Sequence, residues 1–325
     1  MQNKQLGFTL IELMISLALG LIVVAAAILL FLTGQKSVAM QKGVAELQDN
    51  ANFGLNYITK DIRLTNLNVK SATINDQTPY GGVVLRSSAT DPQSNVYLTS
   101  AALDDSLISK EDLSSNVTDS GGSAVGSDQL VIQYLPQYTL DDKGTTSTAD
   151  DELVGGFDCE GNELRFNKAT TGLQIVVQRY FLRADNNKAS NENSPLALAC
   201  DAGYYSLETP TTISNFGGAG EIIMKRVDHF RVLLGVEYAD GTHRYMPISA
   251  YMALTSVPRP RILSVQLGAL VRSTQSMGGD AVIKADQTFQ VLDQAVKVKT
   301  SSDPKYIRQV VSQTIALRNA LGERE

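Results

Sequence analysis

The sequence predicts an α+β protein in which a long N-terminal helix packs its second half on a largely antiparallel, β-rich head. Three observations carry this. Residues 8–32 form an apolar run of 25 residues whose one charge is Glu12. A stripe at helical spacing continues behind it. Beyond Asn66 the apolar residues change to the periodicity of strands. The chain divides accordingly into a leader (1–7), a transmembrane helix (8–32), an amphipathic extension (33–65) and a head (66–325).

As a helix the apolar run would be roughly 37 Å long, more than the ~30 Å core of a bilayer. A buried core helix is rarely apolar on every side for that length. Lys4 and the α-amine precede the run, and positive flanks stay cytoplasmic, so the head is expected to be exported. An ordinary signal peptide is cut beyond its apolar region, after small residues. No such site ends the run before Gly34, so the run is expected to be retained. Val44, Leu47, Ala51, Leu55, Ile58 and Ile62 then fall three or four residues apart on one helical face. The two segments together would form a rod of about 55 residues, on the order of 80 Å long. Gly20, Gly34, Gly43 and Gly54 are the positions where such a rod would bend.

In the head, residues 80–87, 129–135, 173–183, 227–238, 244–249 and 263–271 are rich in Val, Ile, Leu, Tyr and Phe and are bounded by turn residues, the pattern of strands. Ala239-Asp240-Gly241-Thr242 reads as a hairpin turn. Residues 310–318 suit a strand better than a helix. Polar stretches at 114–127, 141–152 and 185–194 are too poor in apolar residues to pack and read as mobile loops.

The net charge of −6 leaves no overall basic footprint for nucleic acid, and none is expected as a partner. Cys159 and Cys200 both lie in the exported part, where an even count favours one disulfide; two buried free thiols are the alternative. Two cysteines and the distant His229 and His243 show no metal-ligand spacing, so neither metal nor cofactor is expected. The chain has no Walker sequence, no GxSxG and no HExxH. Strand alternation would turn His229 to a polar, exposed face, which is a structural rather than catalytic position. An enzyme is not expected.

The functional signal is at the N-terminus. Gly7 followed by Phe8-Thr9-Leu10-Ile11-Glu12-Leu13-Met14 resembles the signal of type IV prepilins and of the pseudopilins of type II secretion. That resemblance implies a pilin-like fold, cleavage after Gly7 by a prepilin peptidase, and methylation of the new amine on Phe8. It also implies that Glu12 pairs with the N-terminal amine of a neighbouring subunit. An ionised carboxylate in a membrane helix needs such a partner, since burial costs about 2.5–3.5 kcal/mol at the bilayer centre. Many major pilins carry a helix-bending proline in the apolar run; this chain has none there, which argues against melting as a major subunit does. Further on, Val227-Asp228-His229-Phe230, Gly235-Val236-Glu237-Tyr238, Asp158-Cys159-Glu160-Gly161, Leu198-Ala199-Cys200 and the closing Thr314-Ile315-Ala316-Leu317-Arg318-Asn319 resemble PilW-type minor pilins. The implied role is priming of pilus assembly with other minor pilins and the major pilin, through the N-terminal helix. Before incorporation the chain would sit in the inner membrane. A J-type pseudopilin of type II secretion is the alternative.

Overall fold

In a computed structural model, residues 9–188, 192, 195–276, 286–299 and 305–322 are described. One helix, α1 (Leu10–Ile62), runs unbroken for 53 residues. It starts at a capping box, in which the side chains of Thr9 and Glu12 each accept a hydrogen bond from the other's backbone N–H. It ends where Asn66 and Asn68 take left-handed φ angles of 63° and 55°, a conformation asparagine tolerates and a helix cannot continue. The glycines do not interrupt it. Gly54 instead permits a close approach: a Cβ there would lie 2.6 Å from the Met224 Cε and 2.9 Å from its Cβ.

The head opens with a short parallel pair, β1 (Ser87–Ser88) and β2 (Val96–Tyr97). There follow β3 (Lys110–Leu113), β4 (Val117–Thr118), β5 (Ser127–Tyr134), β6 (Thr139–Asp141), β7 (Glu152–Phe157) and β8 (Glu163–Asn167). Next come β9 (Gln174–Ala184), β10 (Leu196–Ser206), β11 (Glu221–Lys225), β12 (Val227–Glu237) and β13 (His243–Pro247). A short helix, α2 (Ile248–Met252), leads to β14 (Arg261–Arg272), β15 (Thr288–Val291), β16 (Gln294–Val298) and β17 (Arg308–Ala316). The two main sheets are antiparallel throughout, with strand orders β11-β10-β9-β5-β3 and β13-β12-β14-β17.

The predicted stripe on the second half of α1 is buried: Leu47, Ala51, Leu55, Ile58 and Ile62 join a core with Tyr180, Leu198 and Met224 of one sheet and Phe230, Leu267 and Ile315 of the other. The first half leaves the head altogether. Leu10, Leu17, Leu30 and Phe31 are 60% exposed or more, which in water would cost far more than in lipid. This is the one described helix long and apolar enough to cross a membrane.

Several local expectations need correction. Residues 80–87 are strand only at Ser87, the start of β1, with an isolated bridge at Val83, because buried asparagine side chains supply bonds a ladder would have made. Asn66 Oδ1 accepts from Gly82 N (3.0 Å), and Asn95 Oδ1 accepts from the N–H groups of Leu85 (2.9 Å) and Arg86 (3.1 Å). The predicted loop 114–127 contributes β4, which pairs with β16. In the predicted loop 185–194, Asp185 and Glu192 are buried and bind Arg226. The strand expected at 244–249 stops at Pro247, where α2 begins.

Candidate functional site

The N-terminal end of α1 holds the expected processing and assembly residues. Gly7 and Phe8 lie outside the described residues. Glu12 stands in the first turn, four residues after Phe8, where its negative charge also suits the positive end of the helix dipole. Its Oε2 accepts from Thr9 N (3.0 Å) and from Thr9 Oγ1 (2.9 Å), and Thr9 Oγ1 accepts from Glu12 N (3.3 Å). Among the described residues no group bonds Oε1. The carboxylate therefore fixes its own helix start with one oxygen and keeps lone pairs on the other. Thr9 was not singled out from sequence, although the pattern Thr-x-x-Glu ahead of an apolar run is a capping-box signature that could have found it.

At the other end, Cys159 and Cys200 form a disulfide with a Cα–Cα distance of 6.1 Å. Cys200 is the fifth residue of β10, while Cys159 follows β7 in the turn Asp158–Gly161. Tyr57 of α1 donates its hydroxyl proton to Cys159 O (3.0 Å). The bond thus ties the small sheet β6-β7-β8 to the large sheet where α1 lies on it. One turn along α1, Asp61 is buried and accepts from the Tyr180 hydroxyl (3.1 Å). Burial pushes its carboxyl up to about 6, partly offset by that hydrogen bond.

The Val227-Asp228-His229-Phe230 motif opens β12, and its polar residues are buried, His229 included. Alternation failed for His229 because the second face of β12 is covered by β5 and by the turn between β15 and β16. β13 pairs only with Leu233–Glu237, so the first half of β12 has an unpaired edge. Side chains at the start of β5 satisfy it: Ser127 Oγ accepts from Phe230 N (3.1 Å) and Asp128 Oδ2 from Val232 N (2.7 Å). With that acceptor role taken, the Ser127 hydroxyl proton goes to His229 Nδ1 (3.2 Å), and His229 Nε2–H donates to Gln294 Oε1 (2.8 Å). The imidazole is neutral; burial pulls it down to about 4. Arg231 binds Asp128 at 3.2 Å and Asp293 at 2.8 Å. Asp228 receives Arg308 (2.6 Å) and Arg272 (3.5 Å). Pairs this deeply buried contribute little net stability against hydrophobic substitutes, but breaking one strands a charge. They set the register in which β5, β12, β14 and β17 meet. No acid, base and nucleophile converge on an open cleft in this motif.

Two family comparisons match the chain. The family described as Type IV Pilus-assembly protein W matches residues 180–319, from within β9 into the short turn Arg318–Ala320 that follows β17. The Prokaryotic N-terminal methylation motif matches residues 2–28, a span that takes in Gly7, Phe8 and Glu12. Together they cover about half of the chain. Neither a curated protein nor a solved structure gives a match.

Proposed function

Because this chain is a type IV prepilin-like minor pilin that acts in pilus assembly, anchored by α1 with its head exported, we propose how its own residues carry that role. A prepilin peptidase cuts between Gly7 and Phe8 on the cytoplasmic side and the amine of Phe8 is methylated. The chain waits in the inner membrane, its exposed apolar half-helix in lipid. It then moves into the filament base, where Glu12 receives the amine of a neighbouring subunit on Oε1 while Oε2 keeps the capping box. With other minor pilins it primes polymerisation of the major pilin. The role is structural, as in the pilin family.

The observation that carries this reading is the joining of a prepilin N-terminus to a head of the pilus-assembly W family in one chain. The alternative, a J-type pseudopilin, is not favoured, since the head matches the pilus family. An in-frame deletion tests the choice. Surface pili should fall by at least about tenfold (a loss of ~1.4 kcal/mol or more in initiation), with secretion of folded exoproteins unchanged. Normal piliation with lost secretion would reverse the assignment.

A further inference from the structure

We infer that the open edge of β17, with the cation-lined groove between it and the end of α1, docks an extended, acidic segment of a different pilus subunit. This rests on the reading of the chain as a subunit that assembles with other pilins.

The first observation is an unguarded strand edge. Exposed edges invite pairing with other chains, and proteins usually blunt them by shortness, bulges, proline or charge. Three of the four edges of the two main sheets are blunted. β3 has four residues, a broken register and Lys110. β11 has five, pairs across a bulge and ends on Lys225. β13 has five and ends on Pro247. β17 differs: nine residues in unbroken register with β14, without charge or proline from Gln309 to Ala316. Among the described residues, no backbone hydrogen bond reaches those positions from outside the sheet.

The second observation lies beside that edge. A cavity of about 620 Å³ separates the last turns of α1 from β17. Among the described residues, Lys60, Arg63 and Arg318 line it with Gln313 and Asn319, and no acidic residue does. All three cations are exposed, and none makes an ion pair among the described residues. Compensation of the helix dipole accounts for Lys60 and Arg63 near the α1 carbonyls. It does not account for Arg318, which arrives from the far end of β17 on a separate turn. Asn319 holds that turn in place, donating to the carbonyls of Arg63 (3.2 Å) and Thr65 (3.0 Å).

The occupant follows from chemistry and position. Three cations in a chain of net charge −6 select carboxylates. Arg63 lies roughly 45 Å along the helix beyond Leu32, too far for a phospholipid headgroup when the apolar half is in the membrane. A strand added to β17 gains main-chain hydrogen bonds. Its alternate side chains would then point to the face where Gln313 meets the groove, so acids at every second position would reach the cations.

A photoreactive phenylalanine analogue placed at Gln313, in the full-length chain in pilus-forming cells, tests this; the same analogue at Tyr245 on β13 is the control. Mass spectrometry of the products should show Gln313 linked to a peptide of another pilin-like subunit that contains Asp or Glu, and Tyr245 not linked to it. The exposed triple variant Lys60→Glu, Arg63→Glu, Arg318→Glu should keep its disulfide and cellular level yet lose that link by about tenfold or more. Linkage to lipid, to the chain's own tail or to a second copy would overturn the inference, as would an undiminished link in the triple variant. A chain that enters pili but gives no link at Gln313 sinks this inference alone, whereas a chain absent from pili sinks the proposed function with it.

Discussion

Glu12 has two demands on one carboxylate, and the capping box shows how both can be met. Oε2 is committed to Thr9, and Oε1 faces no described partner. Gly7 and Glu12 should therefore fail at different steps. Gly7→Leu should leave the leader attached, because a bulky side chain keeps the peptidase from the backbone. Glu12→Ala should be cleaved normally and stay in the membrane, but enter filaments about tenfold less well, the loss of ~1.4 kcal/mol of pairing. Immunoblots of membrane and pilus fractions separate the two. Asp61 makes a different prediction. Its carboxyl is at about 6 in the folded chain against an ordinary 3.8. A raised acid contributes stability that is fully present below 3.8 and lost as pH rises through 6. Asp61→Asn, which can still accept from Tyr180, should stabilise the detergent-solubilised chain by about 2–3 kcal/mol at pH 8. The gain should vanish near pH 4, as read from urea midpoints.

Gly54 decides how closely α1 can lie on β11. Gly54→Ala should cost about 1–3 kcal/mol by forcing helix and Met224 apart. Gly20→Ala and Gly34→Ala meet nothing within 4 Å and should leave the thermal midpoint of the head within ~1 °C, helix propensity aside. The helix itself was legible because its signals are local: a long apolar run, then a stripe at spacing three and four. The role of Gly54 was not legible, because its contact with Met224 depends on a residue 170 positions later. The strands at 129–135, 227–238 and 263–271 were legible for their β-branched runs. β10, the partner of β9 along its whole length, was not: Ala, Cys and Gly in Leu196–Ser206 carry little strand signal, and burial on both faces removes alternation. The same two-sided burial hid His229. Of the candidate site, the motif and the cysteine pair were readable from sequence; the buried ion pairs and the groove beside β17 needed the fold.

At the scale of the whole molecule, the chain is a half-buried rod with two environments. Among the described residues its apolar half has no partner in the head, and its amphipathic half completes the core of both sheets. The disulfide closes a separation of 41 residues, worth about 4 kcal/mol in chain entropy, in a head that must survive outside the reducing cytoplasm. Such a molecule is suited to be drawn from a bilayer into a filament with its head already folded. Passage from membrane to filament is read at the N-terminus, by mass spectrometry of this chain recovered from sheared, purified pili. The mature chain should begin at Phe8 with one added methyl group, keep residues 8–32 and be present at far fewer copies than the major subunit. A chain in pili that begins after Gly34, or one that keeps Met1 to Gly7, would contradict this.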